Sequence, residues 1–136
     1  AVHWRYGIPE AGLEKLIDST LACQREDGLF HDGSMCANMD AIHLLAEYGL
    51  RNSHRLEESI AATRKCIQGL FQYLAVPCGG FRYEYQECPD PESTGYGGAK
   101  ITNGTAFVLF TIRYWQAIDP EARENLPSAM NQLGLE

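Results

Sequence analysis

The same order of segments occurs twice along this chain of 136 residues: an amphipathic helical pattern, a glycine-rich turn and a more apolar helical pattern. The first copy covers about residues 9–50 and the second about 54–118, and Asn38 of the first aligns with Asn103 of the second. Helical units of this size become stable when neighbouring units pack together. The repeat therefore predicts one all-α domain over 1–136, built from tandem antiparallel helical hairpins.

Four helices are expected where apolar residues recur at three- and four-residue intervals, over about 9–24, 35–49, 54–74 and 103–118. Gly49 is expected to end the second helix. The fourth pattern is apolar nearly all round, so we expect that helix to be buried. A long connection over about 75–102 separates the last two helices, and loops of this length are commonly functional or disordered. The tail, 119–136, is expected to hold one short turn near 128–133.

Charge excludes two classes of partner. Eleven Lys and Arg against eighteen Asp and Glu give a net charge of −7, so neither nucleic acid nor an anionic membrane surface is expected to bind. No apolar run approaches the roughly 20 residues that cross a bilayer. The absence of a leader-like start slightly favours the cytoplasm, although a mature secreted product would also lack one.

The five cysteines contain no C-x-x-C pair, so neither a zinc ribbon nor a thioredoxin-type motif is present. Cys78 and Cys88 flank a strand-like segment that a disulfide would close, but free thiols are the expected state. A weaker alternative is a zinc site on one stripe of the second helix: Cys36, Asp40, His43 and Glu47. The polar face of an amphipathic helix produces the same spacing, so no metal is expected.

The first glycine turn resembles a known repeat. The segment QREDGLF at 24–30 resembles the Q-x(2–5)-G-x-W/F motif of the prenyltransferase and squalene-cyclase family, and CGGF at 78–81 resembles a second copy without the glutamine. The resemblance implies an α/α toroid, in which inner and outer helices alternate around a cavity and about six hairpins close the ring. Two hairpins imply a partial toroid, hence a homo-oligomer or part of a larger chain, with a four-helix bundle as the alternative. The acidic D-x-D-D and D-D-x-x-D signatures of the family are absent.

Candidate catalytic residues come from analogy with toroid glycosidases and lyases, whose acid–base groups lie on inner helices and the loops before them. By that analogy Asp40 or Asp32 is the general acid or base and His31 assists it. Glycoside hydrolysis normally uses two carboxylates, and Glu84 or Glu87 would supply the second. The alternative is that these Asp residues cap helices and form turns.

The long connection carries aromatic rings beside charged groups, a combination that suits stacking on a sugar ring or shielding a carbocation. The candidate substrate-binding residues are Phe81, Tyr83, Glu84, Tyr85 and Tyr96. Packing of the loop onto the helices would use the same rings.

These observations leave three functions open, and whether the chain is an enzyme stays undecided. The first is a terpene-cyclase or prenyltransferase-like toroid segment whose apolar inner face holds an isoprenoid or similar apolar substrate. The second is a glycan-processing segment, like a glycoside hydrolase or polysaccharide lyase, that uses Asp40 in acid–base chemistry. The third is a non-catalytic helical-repeat interaction module whose last helix docks on further hairpins or on a second copy.

Overall fold

The structure, a computed structural model, describes residues 10–75, 80–81 and 97–135. Every regular element in these ranges is helical: α1 Glu10–Ala22, α2 Met35–Asn52, α3 Leu56–Gly69, a π-helical turn Leu70–Leu74, α4 Gly97–Ile118, α5 Pro120–Glu124 and α6 Leu126–Gln132. The predicted all-α fold of helical hairpins is confirmed. The tail differs from the expectation, since it forms two short helices instead of one turn.

The ends of α2 are set by local hydrogen bonds. Ser34 has an extended backbone, and its hydroxyl oxygen accepts a hydrogen bond from the backbone N–H of Ala37. At the other end Ser53 adopts φ +56° and donates its N–H to the carbonyl of Gly49, 3.0 Å away. The expected stop at Gly49 is therefore wrong by one turn. Gly49 is buried inside α2, where a Cβ would lie 3.6 Å from Ile118.

The two inner helices, α2 and α4, lie side by side and form the most extensive helix pairing in the described residues. Two contacts give their relative direction. The ring of His43 stacks on that of Tyr114, and further along both helices Gly49 faces Ile118. The inner helices therefore run parallel to each other.

The outer helices, α1 and α3, also run parallel. Near the start of α3 the ring of His54 contacts Asp18 of α1 at 2.9 Å, and further along α3 Ala62 accepts a hydrogen bond from Gln24, just beyond the end of α1. The chain thus forms two layers, an outer pair and an inner pair. A square up-and-down bundle would instead place α2 and α4 across a diagonal.

The two turns between outer and inner helices match each other. Gln24 forms an antiparallel bridge with Phe30, and Ala75 forms the equivalent bridge with Phe81. Both residues of the second bridge lie the same number of positions after their counterparts in the first. Buried residues of the two outer helices correspond to each other at a sequence offset that is one residue smaller than the offset between the two bridges. Ile17 corresponds to Ile67, and Thr20 to Leu70. The π-helical turn accommodates the additional residue, because a π turn holds one residue more than an α turn.

The inner helices match in a different register from the one expected. In the first hairpin the N–H of Phe30 donates to Asn38 Oδ1 at 2.8 Å, and in the second the N–H of Phe81 donates to Thr105 Oγ1 at 3.0 Å. Thr105, and not Asn103, is therefore the structural counterpart of Asn38. The same register pairs further buried residues: Ala41 with Val108, and Tyr48 with Trp115.

The core lies between the layers, and the inner layer also carries apolar side chains on its outside. Trp115 and Phe30 are the largest fully buried side chains. The large apolar side chains that are exposed among the described residues all lie on inner helices: Leu50, Leu109 and Phe110. The expectation that the fourth helix is buried on every side is therefore wrong. Within the described ranges, no helix is long and apolar enough to cross a membrane.

Candidate functional site

The glycine-turn motif fastens the first hairpin to the second. The side-chain amide of Gln24 donates to the carbonyl of Gly28 at 2.9 Å and to that of Ala62, in α3, at 2.7 Å. Gly28 adopts φ +87°, and a Cβ there would lie 2.5 Å from the carbonyl oxygen of Lys65. Only glycine fits so close to another backbone at this φ. The motif residues in this chain therefore have a structural role.

A buried amide organises the start of α2. Asn38 accepts from the N–H of Phe30, and its NH₂ group donates to the carbonyls of Gly33 and Ser34 at 3.0 and 2.7 Å. The thiol of Cys66 lies 3.3 Å from Asn38 Oδ1, and burial raises the pKa of that thiol far above its usual range. Cys66 is therefore a neutral donor within the core, since nucleophilic cysteines need an accessible thiolate.

The three residues proposed for acid–base chemistry are exposed. Asp32 Oδ1 accepts from the backbone N–H of Ser34 at 2.9 Å, and this hydrogen bond lowers the pKa of the carboxyl group. A lowered pKa favours an ionised turn-forming residue over a general acid. His31 precedes it with φ +50°, and Asp40 lies one helical turn inside α2. Their catalytic role stays a prediction, and the observed contacts of Asp32 are those of the turn-forming alternative.

The polar stripe of α2 divides into two pairs. His43 Nε2 lies 2.8 Å from Glu47 Oε2, and the His43 ring stacks on Tyr114 with centroids 4.4 Å apart and planes 9° from parallel. Cys36 Sγ is 3.9 Å from Asp40 Oδ2. In the part of the chain that the structure describes, no three His, Cys, Asp or Glu side chains are grouped as metal ligands. The zinc alternative stays a prediction.

One residue of the proposed substrate-binding group lies in the described residues. The ring of Phe81 is half-buried and meets Phe71 edge to face, with centroids 4.9 Å apart, so Phe81 packs against the end of the outer helix. The other members lie outside the described residues: Tyr83, Glu84, Tyr85 and Tyr96. Glu87, Cys78 and Cys88 lie outside them as well.

A buried charge that sequence reasoning missed joins α3 to the end of α4. Arg64 donates to both carboxylate oxygens of Asp119 at 2.7 and 3.0 Å, and the indole N–H of Trp115 donates to the same carboxylate at 2.8 Å. Burial alone raises the pKa of Asp119, but the hydrogen bonds from Arg64 and Trp115 outweigh it and lower the pKa. Asp119 also caps α5 by accepting from the N–H of Glu121. The Asp-Pro pair at 119–120 is a helix-start signal that could have located it.

The open face of α4, formed by Ala106, Leu109, Phe110 and Arg113, is the principal site candidate. In the register set by Asn38 and Thr105, Leu109 is the counterpart of Ile42 and Phe110 is the counterpart of His43. Ile42 is fully buried and His43 is covered by Tyr114, whereas Leu109 is 64% exposed and Phe110 is 58% exposed. Positions that are buried or partly covered in the first hairpin are thus exposed in the second.

This open face cannot be interpreted through known relatives. No protein-family model, no curated protein and no solved structure matches the chain.

Proposed function

We propose that the chain is a helical-repeat interaction module that associates head to tail with further copies of itself and so extends its inner layer of helices. The observation that carries the proposal is the exposure of Leu109 and Phe110 at positions equivalent to Ile42 and His43. Removal of such apolar side chains from water is the main driving force of protein association.

A second copy fits this face because the existing contact between hairpins supplies the pattern. A helix that continues the inner layer must lie beside α4 as α4 lies beside α2, and another copy of the chain brings such a helix. Charge favours the head-to-tail arrangement. Arg113 is exposed on the open face of α4. A two-fold contact would pair the face of Arg113 with itself, whereas a head-to-tail contact sets that face against a different surface of the next copy.

A head-to-tail interface forms a ring when the rotation between copies closes, and an open filament when it does not. The toroid families that the turn motif resembles close with about six hairpins, and each copy of this chain supplies a pair of them. We therefore propose a ring of three copies. Such a ring places the polar stripe of α2 and the aromatic residues of α4 on its inner surface.

Native mass spectrometry and sedimentation velocity test the proposal. We expect a trimer for the wild type and a folded monomer for Leu109→Glu, because a charge on the open face opposes association without touching the core. Leu50→Glu is the matched control, since Leu50 is also an exposed leucine on an inner helix but lies outside the open face. A monomeric or dimeric wild type, or a trimeric Leu109→Glu variant, overturns the proposal.

The second candidate is an apolar ligand, such as an isoprenoid, bound to the same face. The exposure of Leu109 and Phe110 favours it as well, together with the resemblance of the first turn to the prenyltransferase repeat. The same spectra separate the two functions. A monomer carrying the additional mass of a lipid, lost in Leu109→Glu, supports this second candidate and contradicts self-association.

A further inference from the structure

A cavity of about 590 Å³ lies away from the open face of α4. It is bounded by the first glycine turn, by the second half of α3 with its π-helical turn, and by tail residues 133–135. The volume is within the range of sites that hold small molecules.

The residues that line this cavity are of two chemical kinds. Some carry exposed polar side chains: Glu26, Gln68 and Gln72. Others carry half-buried apolar groups: Phe71, Tyr73, Leu133 and Leu135. We propose that the cavity binds a saccharide of one or two rings, whose hydroxyl groups meet the carboxylate and amides while its C–H face packs on the rings and leucines.

Several contacts hold the cavity in shape. Gly69 forms part of its wall, and a Cβ at that position would lie 2.7 Å from the carbonyl oxygen of Asp27. Phe71 is fixed by its edge-to-face contact with Phe81, and the amide of Gln68 donates to the carbonyl of Leu133 at 3.2 Å. The turn, the helix and the tail are thus fastened to one another around the space.

The π-helical turn gives the wall its aromatic residues. Phe71, Gln72 and Tyr73 are three consecutive residues of that turn, and all three line the cavity. The equivalent outer helix of the first hairpin, α1, has no such turn within the described residues. Single π turns are uncommon and frequently occur at functional sites.

The charges and polarity of the wall favour a neutral, polar ligand. The charged residues that line the cavity are Glu26, Asp27 and Lys65, and with the net charge of −7 on the chain this excess of carboxylates disfavours an anionic ligand. An isoprenoid would offer no hydrogen-bond partner to the amide of Gln72 or to the carboxylate of Glu26. A saccharide suits both kinds of lining residue, because it presents hydroxyl groups and an apolar ring face at once.

A titration followed by ¹H–¹⁵N NMR tests this site, with maltose, cellobiose and N,N′-diacetylchitobiose as probes. The Leu109→Glu variant is used, so that self-association does not affect the spectra. We expect at least one probe to shift the amide signals of residues 68–73 and 133–135 in a saturable manner. Gln72→Ala is expected to weaken that binding by about fivefold or more, since it removes hydrogen bonds to the ligand. Asn131→Ala is the control, because it removes an exposed amide outside the cavity.

Two results overturn the proposal: no saturable shift with any of the three saccharides, or shifts that Gln72→Ala leaves unchanged. The outcome is independent of the proposed self-association, because no residue of the open face of α4 lines the cavity.

Discussion

The two hairpins share a turn geometry and are secured by different chemistry. The first is held by neutral amides, with Gln24 bonded across to α3 and Asn38 bonded to the turn. The second has Ala75 where the first has Gln24, and its inner helix is secured at the opposite end by Asp119, which pairs with Arg64. The backbone arrangement is therefore what repeats, and the side chains that stabilise it are free to change. Amides do not titrate, so of these contacts only the Asp119 pair of the second hairpin is expected to depend on pH.

The largest effect on stability is expected from Gly28→Ala, which disrupts the first glycine turn. The new methyl group would meet the carbonyl oxygen of Lys65 in a left-handed conformation, so we expect a loss of about 4 kcal/mol in the free energy of unfolding. Gly134→Ala is the matched control: Gly134 has φ +72°, but nothing lies within 4 Å of a Cβ there. We expect it to cost only about 1 kcal/mol. Equal losses in urea denaturation would contradict the close approach at Gly28.

Asp119→Ala removes the buried carboxylate that secures the second hairpin. It leaves Arg64 and the indole of Trp115 without their acceptor, and breaking a buried ion pair costs about 3 kcal/mol when one partner is partly exposed, as Arg64 is. Glu124→Ala, an exposed acidic residue of α5, should leave the urea midpoint nearly unchanged. A loss for Asp119→Ala no larger than for Glu124→Ala would show that the pair does not secure the hairpin.

The same carboxylate gives a pH dependence of defined sign. The folded pKa of Asp119 lies below its ordinary value of about 3.9, so the folded state favours the ionised form. Its contribution to stability is complete above the ordinary pKa and is lost as the pH falls through the folded pKa. Asp119→Asn should therefore lose less stability than the wild type between neutral and acidic pH. Parallel curves of unfolding free energy against pH would assign the acid sensitivity to other carboxylates.

A smaller effect on stability is expected from Gln24→Ala, which gives the first turn the residue that the second turn has at the equivalent position, Ala75. Because the turn keeps its bridge and loses the hydrogen bond to Ala62, we expect a loss of about 1 kcal/mol in urea denaturation. Gln132→Ala is the control, because it removes only an exposed hydrogen bond, the one from Gln132 to Glu121, and should cost less. A loss above about 3 kcal/mol would mean that the glutamine, and not the backbone, defines the turn.

Periodicity predicted the helices well because the apolar residues of a buried helical face recur every three or four positions in the sequence. The prediction failed where the apolar pattern does not distinguish between two local structures. Residues 70–74 read as a continuation of α3, since an apolar stripe looks the same in an α-helix and in a single π turn. Gly49 was read as a stop, although the helix continues through it to Asn52.

The candidate site was only partly predictable. The motif at 24–30 was visible because its residues are neighbours in the chain, whereas Asp119 depends on Arg64, which lies far away in sequence. The apolar nature of α4 was evident, but periodicity does not distinguish a side chain that is buried in the fold from one exposed on its surface. Leu109 was therefore expected in the core and lies on the open face.

The π-helical turn has a consequence for how such a chain can change length. A one-residue insertion in an α-helix rotates everything after it by about 100°, which would swing the second turn away from its inner helix. By bulging at 70–74 the chain absorbs that rotation locally, and Phe81 still reaches Thr105 as Phe30 reaches Asn38. Deleting one residue from the bulge should therefore restore ordinary α-helix, as in α1, and leave the second turn in place against its inner helix.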